Sequence, residues 1–456
     1  MIASRSSSVV FRVLAVVVIL CLSATACSGG SSGAGDAGAD TDTDSDTDTD
    51  TDSDTDTDTD TDTDTDTDAD AGADGGTGLD GGPADTTTIR VHYEAVAGDH
   101  IGLRGDEPVF SWSAIADATS TDGAVWTFTT AELVAPTEIL PVFVDAGGGD
   151  TPAQGEHWIA RPGETLDIYP FFFADAGTLD SFTVPSTALG GDRDVEAYLP
   201  PSYDEPGAAD REYPVLIVQD GQDLFDPGAP FGGWALDDTL DALLGGDLAT
   251  GGVTDVIVIA PHSGTDRVYD FTPTDGETDV CLADGDCGGA DAYLDFVVDE
   301  LLPEVRDRYR AADGRVGIAG ASLGGLVSLY ACWTRPESFD RCGLFSPSLW
   351  WDSQWILGQV SGDPGPKRDL RIYVDSGSVS DVLSDVTALA TDLTTKPDGL
   401  AYTAGEDLLC LEGVGHEHSE TYWKQRAPWA FEWLYEDADR VQPAPPRPTD
   451  IVPCSL

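Results

Sequence analysis

Past residue 190 the chain carries short apolar runs at 215–218, 316–318 and 408–411, and a fourth, Arg371-Ile372-Tyr373-Val374-Asp375. Runs of this length, bounded by Gly, Asp and Pro, suit strands buried on both faces. Longer stretches at 323–333 and 423–435 read as helices. Strands alternating with helices predict an α/β fold with a mostly parallel sheet over 188–440. Residues 86 to about 173 are patterned differently. Period-two runs such as Ile89-Arg90-Val91-His92-Tyr93 and Val125-Trp126-Thr127-Phe128 stand among frequent Gly, Asp and Pro, with no convincing helix. They predict a small all-β sandwich at 86–180, and its tryptophans fit a core better than a sugar platform.

Two segments lack any such pattern. Arg5 and Arg12 precede an apolar stretch at 13–22 that is short for a permanent membrane span and ends in Ser23-Ala24-Thr25-Ala26-Cys27. Residues 28–85 are Gly, Ser and Ala and then Thr-Asp repeats, with no lysine, arginine or aromatic residue, which predicts a disordered, self-repelling acidic linker. Strict Asp alternation lacks the Gly turns of dedicated calcium loops. The chain's net charge is −62, and much of that excess lies outside the linker. So acidic a surface excludes nucleic acid as a partner, because phosphate contacts need clustered positive charge.

Candidate chemistry centres on Gly320-Ala321-Ser322-Leu323-Gly324-Gly325. This is a Gly-x-Ser-x-Gly elbow between the predicted strand at 316–318 and the helix at 323–333. Small neighbours permit the tight turn that exposes a hydroxyl, and the helix start supplies N–H groups for an oxyanion. Ser322 is the candidate nucleophile. A triad in the order Ser, acid, His restricts the histidine to His416 or His418, which share the loop 413–420. The acid belongs in the loop after the strand at 371–375, where Asp381 is preferred and Asp385 stands a turn further on. The turn Asp220-Gly221-Gln222 after the strand at 215–218 offers the N–H of Gln222 as second oxyanion donor beside that of Leu323. A zinc pair made by His416 and His418 competes with this reading, but the other four histidines lie outside any cluster of metal-ligand spacing.

From Arg193 to Tyr435 the chain resembles the putative esterase family of α/β-hydrolases, the group of esterase D, siderophore esterases, feruloyl esterase domains and antigen 85 acyltransferases. The resemblance rests on the segments 193–204, 213–226 and 292–310, the elbow, and Ser346-Pro347-Ser348-Leu349-Trp350-Trp351. It implies an α/β-hydrolase fold and a serine esterase without metal or cofactor. The family's catalytic histidine stands five residues before a tryptophan, which implies His418 with Trp423 rather than His416. The acid loop departs from the family's usual spacing by about one residue. Trp234, Arg267, Tyr269, Trp350 and Trp351 are the expected substrate-cleft residues.

The start of the chain resembles a bacterial lipoprotein signal, with Cys27 as lipidated residue and membrane anchor, although Ala24 replaces the commoner Leu. The expected location is the bacterial cell envelope, or secretion if cleavage is ordinary. Outside the first 27 residues six cysteines remain, an even number that predicts disulfides in an exported protein. The nearest-partner scheme joins Cys281 to Cys287, Cys332 to Cys342 and Cys410 to Cys454. The expected organisation is therefore a signal at 1–27, linker at 28–85, β-sandwich at 86–180, α/β-hydrolase domain at 188–440 and tail at 441–456. Its substrate would be a small-molecule or glycan ester, such as a siderophore lactone or a feruloyl or acetyl sugar. An acyltransferase of antigen 85 type and a non-catalytic carbohydrate-binding lipoprotein are the alternatives.

Overall fold

The computed structural model describes residues 86–456 apart from 156, 230–231, 247–250, 277–280, 282–286, 398 and 442–447. The predicted signal, Cys27 and the Thr-Asp linker lie outside the described residues.

The all-β part begins with β1 (Thr87–His92), β2 (His100–Gly105), β3 (Ala116–Asp117), β4 (Val125–Thr130), β5 (Thr137–Val144), β6 (Asp150–Pro152), β7 (His157–Ala160) and β8 (Thr165–Ile168). β1 lies between β4 and β8 in one sheet, and β2, β3, β5, β6 and β7 belong to a second. Alternate residues of both, among them Ile89, Val91, Ile101, Leu103, Ile139 and Trp158, share one core. That is the sandwich expected from the period-two pattern. Trp158 is buried in it, the Trp126 indole donates to the Tyr93 carbonyl at 3.1 Å, and Trp112 is exposed.

The α/β part contributes β9 (Thr178–Val184), β10 (Arg193–Leu199), β11 (Val215–Val218), β12 (Gly251–Val253), β13 (Ile257–Pro261), β14 (Val316–Ala321), β15 (Phe339–Phe345), β16 (Arg371–Gly377), β17 (Leu408–Gly413), β18 (Glu436–Val441) and β19 (Ile451–Pro453). Nine of these form one sheet in the order β19-β17-β16-β15-β14-β11-β13-β10-β9. The strands from β13 across to β17 run parallel, and β9, β10 and β19 are antiparallel at the edges. Both faces are covered, which is why β11 and β13 are continuous apolar runs. Val215 and Ile217 point into one core with residues of α2 (Leu323–Thr334), α3 (Trp351–Gly362) and α4 (Leu383–Thr394). Leu216 and Val218 point into the other, with α1 (Leu236–Leu244) and α5 (Glu420–Leu434). Open parallel sheets bind ligands beyond the carboxyl ends of their strands, and the loops after β11, β14, β15, β16 and β17 lie at that edge.

Two boundaries differ from the sequence expectation. β9 straddles the expected end of the sandwich at 180, and it pairs along its whole length with β10 of the large sheet. β12 and β18, from the α/β stretch, instead extend the second sandwich sheet, where β18 pairs with β7 and β12 with β18. An unpaired strand edge seeks a partner wherever the chain brings one, and periodicity carries no record of that distance. A buried cluster ties the parts together: Asp255 accepts from Arg211, from Arg440 of β18 at 3.1 and 3.2 Å, and from Ser202 at 3.0 Å. All three nearest-partner disulfides are formed. Cys454 thereby fastens β19 beside β17, so the predicted tail is an edge strand of the large sheet.

Candidate active site

Ser322 follows β14 directly and caps α2 with φ 56° and ψ −120°, a combination that L residues avoid. The glycines around it are required by contact. A Cβ on Gly320 would lie 2.7 Å from the backbone of Gly324, and one on Gly325 would lie 2.9 Å from Pro347. The elbow therefore forms because small residues let the turn close against its neighbours. Ser322 Oγ is 3.2 Å from Ser348 Oγ, and the Ser348 amide donates to the Ser322 carbonyl at 2.9 Å. Leu323 opens α2, so its amide hydrogen has no acceptor within the helix.

The turn after β11 contributes the second candidate donor. Asp220 is left-handed at φ 63° and starts a single 3₁₀ turn, Gly221–Asp223, which contains Gln222. A Cβ on Gly221 would collide with the Ala260 carbonyl at 2.1 Å. The Gln222 side chain is held by Ser263, whose amide donates to its oxygen at 3.0 Å and whose hydroxyl accepts at 2.9 Å. Arg267 grips Asp220 through two bonds of 2.7 Å. Burial alone would raise the Asp220 carboxyl, but the Arg267 charge together with hydrogen bonds from Arg267, Ser263 and Gln222 keeps the group below its ordinary range.

Asp381 and His418 meet at 2.8 Å between Oδ1 and Nδ1. Asp381 sits in a cage of donors. Its Oδ1 also accepts from the Val382 amide at 2.9 Å, and its Oδ2 accepts from the Gly377 amide and the Ser346 hydroxyl, both at 2.7 Å. Burial pushes this carboxyl up, but His418, Ser346 and Gly377 together hold it below the usual carboxylate range. Asp385, the alternative acid, faces solvent and accepts from Gln354 at 2.8 Å.

His416 is turned the other way. It is buried, stacks on Tyr422 at 4.5 Å, and sets its Nδ1 3.3 Å from Arg426 Nη1. A guanidinium at the ring nitrogen is the reverse of a metal environment. His418, by contrast, packs edge-on against Trp423 with ring centres 5.0 Å apart, so the five-residue spacing corresponds to a contact.

The five expected cleft residues divide. Tyr269 is 38% exposed, and Trp350 and the Arg267 side chain are partly exposed. Trp234 and Trp351 are 4% and 1% exposed and belong to the cores, the first against Phe345 and Trp423, the second with its indole on Thr274. Burying their large apolar rings outweighs leaving them at a solvent-filled mouth. Sequence reading missed Ser348, Asp223 and Glu420. Asp223 and Glu420 are partly buried carboxyls held above their ordinary range, Asp223 by burial first and the Asp220 charge second, Glu420 by burial first with the Asp223 charge adding to it. Ser348 lies within the quoted Ser-Pro-Ser-Leu-Trp-Trp motif, which was the available signal.

A family model described as "Putative esterase" matches residues 186–434. The siderophore triacetylfusarinine C esterase of Aspergillus fumigatus is 41% identical over 95 residues, 21% of this chain and 31% of that protein. The siderophore enterobactin esterase of Emericella nidulans is 42% identical over 75 residues, 16% of this chain and 25% of that protein. The chain thus spans less than a third of the length of either relative. Among solved structures, a siderophore hydrolase, EstB, from Aspergillus nidulans aligns with 57% of this chain and 94% of its own at 21% identity and a TM-score of 0.43.

Proposed function

The chain belongs to the putative esterase family, and from that premise we propose that it is a serine hydrolase of carboxylic esters acting through Ser322, His418 and Asp381. Ser322 Oγ attacks the ester carbonyl while His418 Nε2 takes its proton and returns it to the leaving alcohol. Asp381, on Nδ1, holds the tautomer and stabilises the imidazolium. The amides of Leu323 and Gln222 receive the oxyanion, and water then releases the acyl group from Ser322. The observation that carries this reading is the Asp381 carboxylate, with four donors on two oxygens and one of them the ring of His418. A merely solvated aspartate has no need of such a cage.

The substrate in this reading is a small-molecule ester of the siderophore class, which the similarity to the triacetylfusarinine C and enterobactin esterases supports. The enzyme works outside the cytoplasm, anchored through Cys27. Three disulfides support that location, because cytosolic thiols are kept reduced.

The test is Ser322→Ala in the full chain, assayed with p-nitrophenyl acetate, a hydroxamate siderophore ester, a catecholate lactone and a feruloyl sugar. Wild type is expected to turn over at least one siderophore ester and to label with a fluorophosphonate. The variant is expected to fold, to lose the label and to lose turnover by ~10³-fold or more. Labelling that persists in the variant removes Ser322 from the mechanism. A wild-type chain inert on every ester removes the proposal.

A further inference from the structure

Behind Asp381 lies a second, wholly buried layer. Ser346 is the first residue after β15, has φ 40° and is fully buried. Its hydroxyl oxygen has three partners: Trp423 Nε1 at 3.1 Å, Arg426 Nη2 at 2.9 Å and Asp381 Oδ2 at 2.7 Å. Indole and guanidinium groups only donate, and a hydroxyl has two lone pairs and one hydrogen. Both lone pairs are therefore filled, and the one hydrogen points at the carboxylate. Donor inventory alone settles the direction of this bond.

Arg426 cannot shed its charge, and it is fully buried against Asp375, with Nε 3.0 Å from Oδ2. The Tyr373 hydroxyl donates to the same carboxylate at 2.7 Å, and the Ser346 amide donates to its other oxygen at 3.2 Å. A cation bonded to the serine oxygen polarises its O–H and strengthens the bond to Asp381. The carboxylate is then held at Oδ2, with Oδ1 aimed at His418.

We propose that Ser346 is a positioning residue of the esterase site, relaying the buried Arg426 cation to the acid that orients His418. The proposal rests on the reading of Asp381 as triad acid. It predicts that loss of the Ser346 hydroxyl loosens the imidazole and leaves more negative charge facing it. A more negative acid stabilises the protonated ring, so a higher pH is needed to free the base.

The experiment compares Ser346→Ala, Ser346→Cys and Asp381→Asn in the full chain with p-nitrophenyl acetate. Ser346→Ala strands two donors and can lower yield. Ser346→Cys keeps the volume while replacing the relay with a weak S–H donor. Both serine variants are expected to lower kcat by about 10- to 100-fold with KM within about twofold. Both are also expected to move the acid limb of kcat/KM to higher pH and to keep fluorophosphonate labelling. A packing role alone would change stability without moving that limb. If Asp381→Asn is crippled while either folded serine variant keeps the wild-type kcat and acid limb, the relay is overturned and the triad stands. If Asp381→Asn is as active as wild type, triad and relay fall together.

Discussion

The carboxyl edge of the nine-stranded sheet and the β-sandwich before it turn their chains by opposite means. Among the described residues of the sandwich, left-handed φ values belong to glycines alone: Gly98, Gly123, Gly148, Gly155 and Gly163. At the sheet edge four of them fall on residues with side chains, Asp220 after β11, Ser322 after β14, Ser346 after β15 and Ser380 after β16, while the loop after β17 turns on Gly415. A connecting turn needs only the conformation, and glycine adopts it without strain. The sheet edge needs the same conformation with a hydroxyl or carboxyl attached, and the surrounding packing sustains the cost. At these four strand ends the strained turn carries a polar group, although Ala235, Asp352, Ser353 and Gln354 adopt the same conformation away from the triad.

The largest expected contrast is in rate. His418→Ala is expected to lower kcat by about 10⁴-fold, as loss of a triad base does. His416→Ala, two residues away on the Arg426 side, is expected to cost far less, and His92→Ala in the sandwich to leave kcat within about twofold. Steady-state kinetics on an ester decides the ranking, and a crippled His416→Ala with an active His418→Ala would reverse the roles of the two rings.

A smaller effect concerns the seam between the regions. Asp255→Asn leaves Arg211 and Arg440 buried without their carboxylate and is expected to cost about 3 kcal/mol of stability, with kcat unchanged. Burial would raise the Asp255 carboxyl, but the two guanidinium groups hold it far below its ordinary range. A depressed carboxylate stabilises the fold above its unfolded value of about 4, and that contribution is lost as the pH falls toward the folded value. Thermal unfolding from pH 7 to pH 3 should show the wild type losing more than Asp255→Asn. Equal losses would mean that the seam does not depend on this charge.

The smallest effects test the strain contrast itself, and their signs are opposite. Ser322→Gly should abolish turnover yet raise stability by about 1 kcal/mol, because it relieves the elbow. Gly148→Ala should keep full activity and lower stability by about 1 kcal/mol, since its surroundings are open and only φ 84° opposes a side chain. Chemical denaturation measures both. A destabilised Ser322→Gly would show that the elbow is not strained, and the contrast between the regions would lose its basis.

Much of the site was legible along the chain because its parts are local. The elbow is one hexapeptide between an apolar run and a helix. The His418 to Trp423 spacing is one helical approach, and Asp381 follows a strand recognisable from its own five residues. The short apolar runs located β11, β14, β16 and β17, because strands buried on both faces carry few polar positions, whereas β15, with Asp340 and Arg341, has no such run. Cysteine spacing paired the three disulfides, two of them over 6 and 10 residues.

What only the tertiary structure decided depends on contacts across long separations. Trp234 and Trp351 look like cleft residues in sequence and are core residues in space. β9, across the expected boundary at 180, joined the large sheet, and β18 crossed over to pair with β7, because strand edges are satisfied by proximity rather than by order. The cage around Asp381 draws Ser346, Gly377 and His418 from the carboxyl ends of three different strands, with Trp423 and Arg426 of α5 behind Ser346. A residue's own sequence records which groups it carries, whereas the hydrogen bond that orients a carboxylate exists only once the sheet has brought those loops to one edge.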